Sequence, residues 1–206
     1  MKKNIFILLI ETMCVFLLAS CSNADTANKE LFSGYEFKKL DEGNRPVYNS
    51  LDELENECDI IVVGTFTGDA RQDEVYTYEE SFGKDVLSFI ISQNDIEVSK
   101  IIKGNVKVGD KISVIQLYGT VDTKFMTNSN LTPMLKDDKW LFFLSESNGD
   151  YSGAYYCTGD NDGRYPLENF SYRKTALTDN ENLGVYNKED FREDIYKEIL
   201  KKYDLK

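Results

Sequence analysis

Four short segments rich in β-branched and aromatic residues constrain the fold more than any other feature of this 206-residue chain. They are, in chain order, "IIVVG", "IEVSKIIKG", "KISVIQL" and "WLFFL". Residues of these types favour strands, and the second and third segments alternate apolar with polar residues, which is typical of half-buried strands. Glycine and polar turn residues separate the segments. The pattern predicts neighbouring strands of one closed or nearly closed sheet.

Alternation along these segments selects seven candidate residues for the interior of the sheet. A slip of one residue would turn all side chains of a strand to the opposite face, so each strand has to be tested separately. The candidates are Val62, Ile96, Val98, Ile112, Val114, Leu141 and Phe143.

Two helices are predicted around the strands. Ser50 followed by Glu53 is the pattern of a capping box and indicates a short helix just before the first strand. Residues 188–203 carry apolar side chains at every fourth position, which predicts an amphipathic helix that packs on the strands. The alternative for this second helix is contact with a partner or a membrane surface. The predicted fold class is therefore mainly β: a small OB-like Greek-key barrel with a short N-terminal helix and a C-terminal amphipathic helix.

Residues 58–166 resemble a known module. The segments "CDIIVVGTF", "DIEVSKIIKGNVKVGDKISVIQLYG" and "LKDDKWLFFLSES" are similar to a β-barrel module of bacterial secreted proteins and lipoproteins, and more remotely to netrin-like domains. The resemblance implies an OB-like fold and carries no catalytic residue. The cysteine-rich start of animal netrin-like domains is absent, so the resemblance does not imply protease inhibition.

The first 20 residues have the pattern of a secretory signal. Lys2 and Lys3 precede an apolar run over residues 5–19 that is short for a membrane span. Glu11 interrupts this run, and its charge opposes insertion. The sequence Leu18-Ala19-Ser20-Cys21 resembles a bacterial lipobox.

The lipobox resemblance implies where the chain resides. Residues 1–20 would be a lipoprotein signal peptide, and Cys21 would become an acylated N-terminus that anchors the chain on the extracytoplasmic face of a bacterial membrane. The alternative is an ordinary cleaved signal with an incidental cysteine. Residues 21–34 are polar without periodicity, which predicts a flexible tether, and residues 35–206 are predicted to form a single domain.

Charge and composition exclude several functions. The formal net charge of −12 opposes binding to nucleic acids and to anionic lipid surfaces, so the lipid on Cys21 is the predicted contact with the membrane. The chain contains no histidine, which excludes histidine-based catalysis and most transition-metal sites. We predict no cofactor and no metal. Carboxylates are abundant, so a carboxylate-dependent envelope hydrolase remains the alternative function.

Two cysteines fall within the predicted domain. Cys58 and Cys157 are about 100 residues apart in the chain, and an extracytoplasmic compartment permits a disulfide between them. Such a bridge would stabilise the fold by roughly 4–5 kcal/mol in the chain-entropy model. The alternative is two buried thiols that behave as small apolar side chains. The sequence leaves both interpretations open.

Tyrosine supplies the candidate ligand surface. Among the chain's 13 tyrosines, several fall near predicted strand ends and hairpins, where exposed rings could stack on a sugar or a protein partner. The selected residues are Tyr118, Tyr151, Tyr155 and Tyr156, and Tyr76 and Tyr78 belong to the same group. The predicted function is a non-enzymatic binding or structural role at the cell envelope, with an envelope protein or glycan as partner.

Overall fold

The computed structural model describes residues 36–39, 46–127, 134, 136–159, 163–167 and 193–205. These residues form nine strands and two α-helices, with a 3-10 turn at Gly149–Tyr151. The strands are β1 (Glu36–Lys39), β2 (Ile60–Glu79), β3 (Lys84–Lys103), β4 (Lys111–Gln116), β5 (Tyr118–Val121), β6 (Lys124–Thr127), β7 (Lys139–Glu146), β8 (Tyr155–Cys157) and β9 (Arg164–Pro166). The helices are α1 (Leu51–Glu57) and α2 (Glu193–Lys202).

Six of these strands form one sheet, and five of them close into a ring. The order in the sheet is β2-β3-β4-β8-β7-β9, and β2 also pairs with β7, which closes the ring. Among the described strands, β9 pairs only with β7 and lies outside this closed circuit. The ring has few paired residues between β4 and β8, which share only the pairs Val114–Tyr155 and Ile115–Tyr156. The predicted class is confirmed: the fold is mainly β, with a barrel-like sheet, a short helix on the N-terminal side and a C-terminal helix.

A second, smaller sheet stands beside the ring. β5 and β6 form a hairpin, and β1 pairs in parallel with β6, from Glu36 opposite Lys124 to Lys39 opposite Thr127. This sheet is joined to the end of β4 through Leu117 alone. The short connection keeps the β5–β6 hairpin close to the ring.

The ring separates two apolar cores, because β2 and β7 bury side chains on both of their faces. The interior of the ring contains Ile60, Val62, Phe66, Ile96, Val98, Ile112, Val114, Met134, Trp140, Phe142, Leu144 and Cys157. The outer core lies between the ring and the two helices and contains Leu51, Leu54, Cys58, Ile61, Val63, Leu141, Phe143, Tyr165, Ile195 and Ile199.

Five of the seven candidate interior residues are inside the ring, and two are not. Leu141 and Phe143 belong to the outer core, whereas their neighbours Trp140, Phe142 and Leu144 face the interior. The prediction was therefore wrong by one residue on β7. The physical reason is that β7 is apolar on both faces, so its sequence has no alternation to indicate which face points inward.

Both helices cover the outer core. At the start of α1, the Ser50 side chain accepts a hydrogen bond from the Glu53 amide at 3.2 Å, and Glu53 Oε2 accepts one from the Asn49 amide at 2.6 Å. The predicted capping interaction is thus present, with its return bond one residue earlier than the usual pattern. In α2, Ile195 and Ile199 are buried against the ring. Residues 188–192 of the predicted helix lie outside the described residues.

We expect Val114→Asp to unfold the protein and Lys111→Ser to leave it nearly unchanged. Val114 is completely buried inside the ring, and an unpaired buried charge costs several kcal/mol against a total stability of roughly 5–15 kcal/mol. Lys111 lies on the same strand with its side chain exposed. Thermal melts of the two variants check this, and similar small shifts would contradict the placement of β4 in the core.

Candidate functional site

The most distinctive feature outside the cores is a long two-stranded extension of the sheet. β2 pairs with β7 only over Ile60–Thr65, and β3 pairs with β4 only over Ser92–Glu97. Between these regions β2 and β3 continue to pair with each other, from Ala70 opposite Asn94 to Glu79 opposite Lys84. Among the described strands, residues 70–91 therefore pair only within this hairpin. We call residues 70–91 the ribbon.

A compact turn at Glu80–Gly83 closes the end of the ribbon. The amides of Phe82 and Gly83 donate hydrogen bonds to the Glu79 carbonyl at 3.1 and 2.9 Å, and the Ser81 hydroxyl donates to Glu79 Oε1 at 2.9 Å. Gly83 has φ of +61°, a conformation that glycine adopts without strain. The turn leaves the Phe82 side chain 69% exposed at the tip.

The two faces of the ribbon differ in composition. Side chains directly opposite one another across a strand pair share a face. The face that continues the interior of the ring, here called the inner face, carries Glu74, Tyr76, Tyr78, Asp85 and Leu87 beyond the buried Ile90. The outer face carries Asp73, Val75, Thr77, Glu79, Lys84, Val86, Phe89 and Ile91.

The base of the inner face is covered, and the rest is open. The Gln72 side-chain amide donates to the Thr120 carbonyl at 2.8 Å and accepts from the Thr120 amide at 2.7 Å, which fixes the β5–β6 hairpin on the ribbon. Gly119 permits this close approach, because a β-carbon there would collide with Ile90 and Gln72. Beyond this contact, Tyr76 is 54% and Tyr78 is 62% exposed.

Tyr76 is held in place by a neighbouring carboxylate. Its hydroxyl donates a hydrogen bond to Glu74 Oε2 at 2.7 Å. This bond, together with the charges of Glu74 and Asp122, raises the pKa of the Tyr76 phenol. The ring therefore stays neutral, exposed and oriented on the inner face.

The four tyrosines of the predicted ligand surface do not form one surface. Tyr118 is only 7% exposed and stacks on Phe125 with ring centroids 5.8 Å apart, while its hydroxyl donates to Asn94 Oδ1 at 3.0 Å. Burial raises the pKa of Tyr118 to about 12. Tyr118 is thus a buried residue, which corrects its assignment to an exposed surface.

The other three selected tyrosines lie around β8 and the turn before it. Tyr155 packs partly against the ring interior, and Tyr156 points outward and is exposed. Tyr151 is half-buried; burial, and then the charge of Asp73, raise its pKa, which indicates that Tyr151 lies near the base of the ribbon. Tyr151 is therefore a selected tyrosine that lies close to the ribbon, beside Asp73.

Two aromatic residues of the ribbon, Phe82 and Phe89, were not selected from the sequence. Phe82 falls in a turn, and Phe89 is 44% exposed on the outer face. For Phe89 the sequence carries no signal, because "VLSFII" is apolar at five of six positions and has no alternation to indicate which side chains face away from the core.

Cys58 and Cys157 are both buried, and they are not bridged to each other. They belong to different cores, Cys58 to the outer core beside the helices and Cys157 to the ring interior. Burial raises the pKa of Cys58 to about 11. The structure therefore favours the interpretation as two buried thiols over a disulfide.

A groove of about 280 Å³ runs beside the C-terminal end of α2. It is lined by Val63, Ser99, Lys100, Lys139, Leu167, Asp204 and Leu205. The Lys100 ammonium group donates to the Tyr203 carbonyl at 2.8 Å, across this groove. Lys100 thus fastens the end of the helix to the sheet, and the groove is a packing seam.

Catalytic arrangements are not evident among the described residues. Within residues 46–127, 136–159 and 194–205, every aspartate and glutamate side chain is at least partly exposed, so none of them lies in the desolvated setting used by general acids of glycosidases. The described part of the chain also contains no group of three or more metal-ligating side chains. No helix within that part is long and apolar enough to cross a membrane. The lipobox-like segment that includes Cys21 lies outside the described residues.

No protein-family model matches the chain, and no curated protein matches it significantly.

We expect both thiols to be unreactive in the folded protein and fully reactive after denaturation. Burial slows access, and the raised pKa of Cys58 leaves little of the reactive thiolate at neutral pH. Thiol titration of a Cys14→Ser, Cys21→Ser chain, with and without guanidinium chloride and without reductant, measures this. Absence of reactive thiols in the denatured sample would reveal a disulfide instead.

Proposed function

We propose that the chain is a lipid-anchored, extracytoplasmic binding protein of the bacterial envelope that acts without catalysis. The lipobox-like sequence ending at Cys21 supports the location. The ribbon supports a binding role, and it is the observation that carries the proposal. The proposed partner is an envelope protein. The ring is the rigid scaffold from which the ribbon extends.

The exposed aromatic residues are the main support for a binding role. Tyr76, Tyr78, Phe82 and Phe89 are all more than two-fifths exposed within 14 consecutive residues. Isolated exposed apolar residues are common on protein surfaces, but concentrated ones mark interaction sites. Aromatic residues are also enriched at protein interfaces, and tyrosine is enriched among the few residues that supply most of the binding energy.

The position of these residues supports a partner rather than a structural role. None of the four belongs to either apolar core. A free two-stranded hairpin is only marginally stable in water, and the ribbon depends on the base contact between Gln72 and Thr120. The aromatic side chains beyond that contact are exposed and are therefore available to a partner.

The anchoring part of the proposal is tested at Cys21. We expect Cys21→Ser to abolish lipid attachment, so that the protein is either left unprocessed or released from the membrane. Cell fractionation, with mass measurement of the mature N-terminus, checks both outcomes. A cleaved Cys21→Ser protein that stays on the membrane would contradict anchoring through this residue.

The binding part is tested by site-specific photo-cross-linking in cells that produce the full chain. A photoreactive amino acid at position 78, on the inner face of the ribbon, should give a cross-linked product of one defined mass. The same amino acid at position 108 is the control, because Val108 is 65% exposed in the β3–β4 connection, away from the ribbon. Equal products from both positions, or none from position 78, would count against the ribbon as the binding element.

A further inference from the structure

We propose that the inner face of the ribbon binds an extended, positively charged polypeptide segment, with lysine or arginine side chains on its tyrosine rings. This inference rests on the proposed function, since it names the partner of the same surface. It follows from the charge, ring geometry and strand spacing of residues 72–87.

The charges of the inner face have one sign. Its open part carries Glu74 and Asp85 and, among its own residues, no lysine or arginine. Asp122, on the turn between β5 and β6, adds a third carboxylate close enough to Tyr76 to affect its phenol. The outer face is different, because Lys84 and Arg71 accompany its carboxylates and Arg71 pairs with Asp95 at 3.4 Å. A basic partner therefore fits the inner face better than the outer face.

The tyrosine rings on this face are suited to cations. The face of an aromatic ring attracts ammonium and guanidinium groups, and a carboxylate beside the ring can accept a charge-assisted hydrogen bond from the same cation. The hydrogen bond from Tyr76 to Glu74 holds a ring and a carboxylate side by side. Tyr78 supplies a second aromatic side chain two residues further along β2, and Asp85 lies directly opposite Tyr78 across the ribbon.

The spacing of these groups matches a polypeptide rather than a single small cation. Side chains on one face of a strand recur about every 7 Å, so the distance from Glu74 to Tyr78 along β2 is about 13 Å. An extended peptide presents alternate side chains with the same repeat. One basic segment could therefore place successive lysine or arginine side chains on Tyr76 and Tyr78.

The ribbon can also offer main-chain hydrogen bonds. Over residues 72–79, β2 pairs with β3 on one edge and with no other described strand on the opposite edge. Open strand edges bind extended peptides by adding a strand to the sheet. Edge pairing would supply affinity, and the inner face would select basic side chains.

Binding of defined peptides to the full chain in non-ionic detergent tests this inference. The probe is a labelled eight-residue peptide of alternating lysine and glycine, measured by fluorescence anisotropy, with an alternating glutamate and glycine peptide as the control. We expect saturable binding of the lysine peptide that weakens as salt is added, and no binding of the glutamate peptide.

Two double variants with the same change in net charge locate the site. Glu74→Gln with Asp85→Asn removes two charges from the inner face and should raise Kd at least about tenfold. Asp73→Asn with Glu79→Gln removes two charges from the outer face and should raise Kd by less than about twofold. Tyr78→Leu keeps apolar area but removes the phenol ring, and should also weaken binding. Thermal melts should be similar for all variants, since these side chains are exposed.

The outcomes separate this inference from the proposed function. Equal losses for the two double variants would mean non-specific attraction to an acidic protein, and absence of lysine-peptide binding would also overturn the inference. Spermidine competing as strongly as the peptide would assign the site to a free polyamine instead. If the cross-link at position 78 persists in any of these cases, the ribbon remains a binding element for a partner of other chemistry.

Discussion

The pairing of β2 with β7 is the contact on which the rest of the structure depends. This pairing closes the ring, and it joins two strands that bury apolar side chains on both of their faces. A strand of this kind has to be covered twice, once by the ring interior and once by another layer. On the outer face of these strands, the side chains of Ile61, Val63 and Phe143 are covered by α1 and α2. The two helices are therefore a consequence of the composition of β2 and β7.

The contacts between the helices follow from the same requirement. α1 and α2 lie far apart in the chain but meet over the outer core, where Lys202 donates to Glu55 at 2.8 Å and the Tyr203 hydroxyl also donates to Glu55. Burial, and then the hydrogen bond to Glu55, raise the pKa of Tyr203. These polar contacts at the rim orient the helices, while the buried leucine and isoleucine side chains supply most of the free energy of packing. The ion pair itself adds little, because it is partly exposed.

The strands and the cap of α1 could be predicted from the sequence because their signals are local. Alternation in "KISVIQL" correctly placed Ile112 and Val114 inside the ring, and Ser50 caps α1 as predicted. The orientation of β7 could not be predicted, since "WLFFL" is apolar throughout and only its distant partners decide which side chains face inward. Tyr118 shows the same limit. Its burial depends on Phe125 and Asn94, which the fold brings to it from other strands.

The segment "RQDEVYTYEESFGKD" carries no decisive signal, because its polar residues are as typical of a loop as of an exposed hairpin. The structure explains why a polar sequence forms strands there. Residues 70–79 extend β2 beyond the edge of the ring, where no core requires apolar side chains, and pairing with β3 resumes at Ala70 after a register shift that follows Phe66. Polar residues on such an extension are expected, so the tyrosine and phenylalanine side chains are the ones that need another explanation.

Electrostatics limits what that explanation can be. The whole chain has a net charge of −12, so any acidic partner is repelled at long range and a basic one is attracted. At physiological ionic strength, however, charges on exposed surfaces are screened beyond about 8 Å. Charges on the far side of the ring therefore cannot select what binds at the ribbon. Selection there depends on the carboxylates beside the rings, and Glu74, bonded to Tyr76, is the one whose position the structure fixes most directly. The hydrogen bond that orients the Tyr76 side chain therefore also positions the Glu74 carboxylate, whose charge selects the partner side chains that can bind beside Tyr76.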